Sequence, residues 1–345
     1  MRRLTLILSD LYLPEEAAGD RPLPQSVELP SLDWLLRFAE PPQRIDDWRS
    51  WLAGHLGETN LARLPVALAC ERQFLSGGDG SAWLATPVHL EARLDHVRLV
   101  DRGAMRIESG QRAAWCEEFA RVFGPQYSLH DIGERAFLLT GIAPTAAQTR
   151  DPLRLLDSDI AGALPRGPEA AELRRLGAEI EMWLHRAALN SRRERARELR
   201  ISALWLWGGG LAPDEHRAAS IAPMGEVRFH GDDPFLRALA ESFAHSHERE
   251  VRLAPAPRAY STVDPDAEQA VVELTPMTGP PEQSLHSLEA NWFAPLRAAL
   301  ANGSLEACDL VANDRWFNIR ARSGWKFWRR KVKWLEQLGS DTRRP

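Results

Sequence analysis

The sequence predicts an α/β protein, a core sheet flanked by helices into which an α+β region is inserted. Three observations carry this prediction. Apolar strand-like runs alternate with helix-period segments at both ends of the chain, while the stretch from Trp83 to Thr140 has short strands around one helix. The apolar run Leu204-Trp205-Leu206-Trp207 also passes directly into Gly208-Gly209-Gly210, a junction where a covered strand meets bare backbone. At 345 residues the chain is long enough for one large domain with an insertion, or for two domains with separate cores.

Leu4-Thr5-Leu6-Ile7-Leu8 is read as a buried first strand that ends at Ser9-Asp10 and leads into a loop reaching Pro30. Ser31 is the expected cap of the next helix. Asp33 lies in its first turn, and Leu32, Leu35, Leu36 and Ala39 repeat at helical spacing before Pro41-Pro42 stops it. Residues 46–56 form a short helix with Trp48, Trp51 and Leu52 on one side. Strands are expected at 97–100 and 136–140, with a helix over 113–123 between them. Residues 168–199 form the longest helical pattern, with Pro168 in its first turn and the charged run 191–198 as a solvated end. Beyond the glycines come a helix over 233–245, strands at 251–253 and 271–274, and a helix over 282–301 that Pro295 can kink. Strands near Leu310 and over 316–319 precede a final helix over 324–338.

With 44% apolar and 26% charged residues the chain has a globular rather than a disordered composition, and its 13 tryptophans suit core packing. A net charge of −5 gives no global attraction to nucleic acid or anionic membrane. Cys70, Cys116 and Cys308 are widely spaced and odd in number, which fits a reducing compartment. The apolar run after Met1-Arg2-Arg3 is too short for a signal-peptide core and no run reaches membrane-spanning length, so a cytoplasmic location is expected.

Several segments have compositions that can carry chemistry. The N–H groups of Gly208, Gly209 and Gly210 can hold a small anionic ligand such as a phosphate, or the triplet is a strand-to-loop exit; it lacks a G-x-G-x-x-G pattern. Ser76-Gly77-Gly78-Asp79-Gly80-Ser81 offers the same choice between a phosphate loop and a plain turn, with the turn favoured. His245-Ser246-His247 resembles a metal pair by composition, but i and i+2 diverge on a helix. Asp95-His96 and His130-Asp131 have no spacing that forces a shared site. At the C-terminus, Trp325, Trp328, Val332, Leu335 and Leu338 recur at helical spacing, and residues 315–345 carry ten basic side chains against two acidic ones. Such a helix either packs on the sheet or docks on an acidic partner, nucleic acid or a membrane surface.

Four segments resemble the bacterial RpfE-type regulatory protein family: Trp83-Leu84-Ala85-Thr86-Pro87-Val88-His89-Leu90, the Trp205 to Gly210 motif, Trp292-Phe293-Ala294-Pro295-Leu296, and Trp325-Lys326-Phe327-Trp328-Arg329-Arg330. A more distant resemblance is to the archaeal-type cofactor-independent phosphoglycerate mutases of the alkaline phosphatase superfamily. It rests on Leu8-Ser9-Asp10, Leu29-Pro30-Ser31-Leu32-Asp33, the Asn-x-x-Arg of Asn190 to Arg193, and Trp205 to Gly210. That resemblance implies an alkaline-phosphatase-like core over 1–85 and 200–345 with a lid-like α+β domain over 86–199.

The mutase chemistry implied by the resemblance needs two divalent metals on Asp and His ligands and a Ser or Thr nucleophile. Here the set is broken. Asp10 matches the first ligand, but residues 40–65 lack the nucleophile loop and leave Ser50 and Thr59 without its context. No Asp-x-x-x-His pair follows Leu274, where His286 lies further on, and the later Asp-His pair would fall at Asp314-Arg315. The expectation is a regulatory or binding protein on a degenerate mutase-like scaffold, with no cofactor. The alternative is a metal-dependent phosphoglycerate mutase or phosphatase that uses Asp10, Asp314 and His286 with a divalent metal. A third reading is association with nucleic acid or a membrane surface through the basic C-terminal helix.

Overall fold

The structure is a computed structural model that describes residues 1–8, 27–75, 80–100, 107–143, 145–155, 159–167, 169–211, 226–247, 251–274, 281–322, 324 and 328–338. Its first half runs β1 (Arg3–Leu8), α1 (Pro30–Phe38), β2 (Gln43–Arg44), α2 (Trp48–His55), α3 (Thr59–Arg63), α4 (Val66–Phe74), β3 (Trp83–Ala92) and β4 (Val97–Val100). There follow α5 (Ser109–Phe123), β5 (Ser128–Asp131), β6 (Phe137–Thr140), α6 (Ala170–Arg186), α7 (Ala188–Arg195) and β7 (Ala203–Trp207). The remainder is β8 (Val227–His230), α8 (Pro234–His247), β9 (Arg252–Ala254), β10 (Gln269–Leu274), α9 (Pro281–Leu288), α10 (Ala294–Asn302), β11 (Ala307–Ala312), β12 (Arg315–Arg320) and α11 (Trp334–Leu338). The chain divides into two compact units, residues 1–58, 220–232 and 240–345 in the first and 59–219 and 233–239 in the second.

The first unit is the expected α/β sheet flanked by helices. Its seven strands lie in the order β2-β12-β11-β1-β10-β8-β9, with β11, β1, β10, β8 and β9 parallel and β12 and β2 antiparallel at one edge. Central β1 is buried on both faces, as its unbroken apolar run requires. Leu4, Leu6 and Leu8 point into a core shared with α1, α9, α10 and α11, and each such leucine contributes about 1.5–3 kcal/mol by leaving water. Residues of opposite parity, among them Thr5, Val271 and Asp309, share the other face by register. On that face Phe229 packs edge-on against Phe243 of α8, and Trp316 lies against Trp51 of α2.

One helical expectation in this unit is refined and another corrected. The 282–301 helix forms, with a π-helical turn over Glu289–Phe293 between α9 and α10, and Pro295 sits in the first turn of α10. A proline there costs no helical hydrogen bond, so the wider turn before it takes up the irregularity that a kink would have carried. The basic helix expected over 324–338 is helical only at Trp334–Leu338 among the described residues. Tertiary partners draw this segment onto α1. Trp334 is fully buried, its backbone N–H donates to Asp33 Oδ1 at 2.7 Å and its indole N–H to the Val27 carbonyl at 3.1 Å. Arg329 donates to the Ala39 carbonyl and accepts, through its own carbonyl, from Arg37 Nε. Lys333 lies 3.9 Å from Asp33. Arg329 and Lys333 are thus engaged within the unit.

The second unit is α+β, with a five-stranded antiparallel sheet ordered β4-β3-β6-β5 and β7 paired to β3. Trp83, Phe137, Leu139, Leu204 and Leu206 form its core with Trp115 and Phe119 of α5 and Leu173, Leu176, Ile180 and Leu184 of α6. The helix expected over 168–199 breaks at Ala187 into α6 and α7. This unit is larger than the expected 86–199 insertion. The β7 strand, expected in the core sheet, hydrogen-bonds to β3 through the register Leu84↔Trp207 to Val88↔Ala203, and α3 and α4 precede them in the same unit.

Candidate functional site

In a mostly parallel sheet the carboxyl ends of the strands are where ligands usually bind. At that end of the first unit, β11 turns into β12 through Asn313, in the left-handed region at φ 57°, and Asp314. The Asp314 carboxylate lies 3.3 Å from the Arg44 guanidinium and 3.7 Å from that of Arg315. Arg315 also donates to the Gln337 carbonyl. Nearby in sequence to the end of β10, the fully buried Glu273 accepts the Asp232 N–H at 3.2 Å. His286 lies on α9, where its Nδ1 is 2.8 Å from the Glu282 carbonyl one turn back. Asp314 and His286 therefore have separate partners, and Asp10 lies outside the described residues.

The divalent metal pair that the mutase resemblance implies would draw on residues of this edge, of which Asp314 and His286 are described. Two guanidinium groups lie beside Asp314, where a dication would have to displace them, and His286 engages its own helix through one ring nitrogen. Among the described residues no three His, Cys, Asp or Glu side chains are grouped to hold a metal ion. His247 of the His245-Ser246-His247 motif instead faces Glu58 at 3.7 Å and packs on Phe243, while Glu58 accepts the Ser242 hydroxyl at 2.8 Å and the Ser246 hydroxyl at 3.3 Å.

The most concentrated polar site in this unit lies on the face of the sheet covered by α2, and the sequence alone did not flag it. Asp309 sits mid-strand in β11 with its side chain 1% exposed. Its Oδ1 accepts from Trp316 Nε1 at 2.9 Å and Asn318 Nδ2 at 2.8 Å, both on antiparallel β12. Its Oδ2 faces His55 Nε2 at 3.5 Å and Arg3 Nε at 4.0 Å, distances longer than a well-formed hydrogen bond, so this buried oxygen has no hydrogen-bond partner. Burial by itself pushes the carboxyl up, but the facing His55, Asn318 and Trp316 outweigh it, and Asp309 is held below the usual carboxylate range. His55, in the last turn of α2, stacks on Trp51 at 4.7 Å and meets Trp316 edge-on at 5.8 Å. The register Thr5↔Asp309↔Asn318 explains the cluster: three polar residues on adjacent strands point to the same face. Only strand order brings them together, and no local spacing could have announced it.

The glycine triplet and the Asn-x-x-Arg motif belong to the second unit, and both have packing partners. Gly208, at φ 71°, donates its N–H to Thr149 Oγ1 at 3.2 Å and accepts the Ala67 N–H at 2.8 Å. A Cβ on Gly209 would lie 2.6 Å from Trp83 Cε2 and 2.7 Å from the Ala82 oxygen, so the strand exit passes where only glycine fits. Asn190 is fully buried: its amide donates to the Leu184 and Ile201 carbonyls and its oxygen accepts the Ile201 N–H, all at 2.8–2.9 Å. Arg193 binds the Leu199 carbonyl, Gln111 and Glu198. The motif thus pins the connection from α7 to β7. The glycine-rich turn at 76–81 lies partly outside the described residues; Gly80 donates its N–H to the buried Glu71 carboxylate at 3.1 Å. His130 meets Thr140 Oγ1 at 3.1 Å, and His96 pairs with Asp95 at 2.6 Å, each within its own hairpin.

The fold and these sites define an α/β unit with a mostly parallel sheet and an α+β unit with an antiparallel one. No family model and no curated protein matches the chain. Among solved structures it is similar to a cofactor-independent phosphoglycerate mutase from Thermoplasma acidophilum DSM 1728, at 16% identity over 92% of this chain and 89% of that one, with a TM-score of 0.39. It is also similar to the PH0037 protein from Pyrococcus horikoshii, at 12% identity over 93% of this chain and 88% of that one, with a TM-score of 0.44. No helix among the described residues is long and apolar enough to cross a membrane.

Proposed function

We propose that this chain is a regulatory or binding protein of the RpfE type, built on a phosphoglycerate-mutase-like, alkaline-phosphatase-like scaffold without phosphotransfer activity. One observation carries the reading: Asp314, which the mutase resemblance puts at a ligand position, lies against Arg44 and Arg315. Replacing such a pair of cations by a divalent metal requires moving both arginines, one of which also holds the Gln337 carbonyl. Cys70, Cys116 and Cys308 are all free thiols, in keeping with a cytoplasmic protein.

The test is direct. Purified protein is assayed for interconversion of 2- and 3-phosphoglycerate and for phosphatase turnover with Mn²⁺, Zn²⁺ and Mg²⁺, alongside Asp10→Ala and Asp314→Ala. The expected result is no metal-stimulated turnover and no stoichiometric metal by elemental analysis. Metal-dependent turnover lost in either variant overturns the proposal and establishes the phosphotransfer alternative.

A further inference from the structure

We propose that His55, Arg3 and the Trp51–Trp316 pair form a binding site for an oxyanion carried on a planar ring, with Asp309 as the buried group that orients the imidazole. The inference deepens the binding-protein reading by giving it a ligand class, and it rests on different residues. Asp309 is ionised and almost wholly buried, yet Oδ2 has no hydrogen bond although it faces His55 and Arg3. A buried carboxylate oxygen left in that state is costly. The cost falls when His55 closes its Nε2–H onto Oδ2, which fixes the ring beside Arg3.

The surroundings suit such a ligand. Arg3 is half exposed beside the imidazole, and the register Arg3↔Ala307↔Arg320 sets two arginines on either side of a small alanine on this same face. Trp51, His55 and Trp316 are each only partly buried and present ring surface next to these cations. Among the described residues Asp309 of β11 faces His55, Arg3 of β1 lies at the same carboxylate, and Arg320 of β12 ends the row. Glu58, three residues on, is turned to Ser242, Ser246 and His247. Trp51 and Trp316 supply stacking for the ring that carries the anion.

Phenyl sulfate, whose charge does not change near neutral pH, is the probe, with inorganic sulfate as the arm that lacks the ring. Titration calorimetry of the full chain should show saturable phenyl sulfate binding and weaker binding of inorganic sulfate. His55→Gln and Arg3→Gln should each weaken it by roughly tenfold. Asp309→Asn, which removes the charge that orients His55, should also weaken binding; if that variant does not fold, His55→Gln and Arg3→Gln decide the matter. Absence of saturable binding, or equal affinity in His55→Gln and Arg3→Gln, overturns the site. Equal binding of the two sulfates overturns the ring-bearing ligand class. The phosphotransfer assays above are unaffected by either result, so the two proposals fail separately.

Discussion

Gly209→Ala tests whether the glycine triplet is a packing device. The added methyl carbon would fall 2.6 Å from Trp83 Cε2 and 2.7 Å from the Ala82 carbonyl oxygen, both inside the limit that carbon contacts tolerate. Neither neighbour yields easily, since Trp83 is fully buried in β3 and Ala82 offers backbone. Overpacking of this kind costs about 1–3 kcal/mol, and the reduced freedom of the unfolded chain returns about 0.4–1 kcal/mol. The expected net loss is about 1–2 kcal/mol, or a fall of roughly 2–8 °C in the melting temperature of a unit of this size. Gly177→Ala in α6 of the same unit is the control. A Cβ there meets nothing within 4 Å, so the substitution should stabilise the helix by about 0.5–1 kcal/mol. Differential scanning calorimetry of both variants reads the contrast. An unchanged melting temperature in Gly209→Ala refutes the packing argument and returns the triplet to the status of an open backbone surface.

Asn190→Ala should destabilise the second unit by about 3 kcal/mol in urea unfolding, because it leaves the Ile201 N–H and two carbonyls unpaired in the interior; a loss below about 1 kcal/mol counts against the pin. Trp334→Ala should cost about 3–5 kcal/mol in the first unit, and a neutral outcome would show that the C-terminal segment is not part of its core. Asp309 supplies a pH test. Its folded carboxyl is depressed, so its stabilisation is complete above the unfolded value of about 4 and is lost as pH falls through the lower folded value. Acid unfolding of Asp309→Asn, followed by circular dichroism, should be less steep below about pH 4 than that of the wild type; equal slopes would show that Asp309 is not depressed.

Much of the element content was legible because it depends on local periodicity. The Leu4 to Leu8 run, the repeat from Leu32 to Ala39 and the Trp48–Trp51–Leu52 side of α2 are spaced as a buried strand and two amphipathic helices must be, and they form those elements. Strands β4, β6, β7, β9, β10, β11 and β12 fall where their apolar runs lie. Short elements such as β8 and α3 carry too few turns or alternations to stand out. At the C-terminus a convincing helical stripe was overridden, because the pull of Trp334 into the α1 side of the core outweighs the modest propensity of the residues before it.

The candidate chemistry divides in the same way. Asp314, His286 and the glycines were visible as residue types, but their partners were not: an arginine 270 positions away in the chain, a carbonyl one turn back and an indole on another strand. By itself the sequence determined the α/β class, the run of elements and the residue types available for chemistry, since these follow from spacing along one chain. Only the tertiary structure decided that β7 pairs with β3, that Asp314 meets arginines, and that Thr5, Asp309, Asn318 and His55 share one buried face. Strand order and register set those neighbours, and they depend on the burial of whole faces against distant segments, which no local pattern encodes.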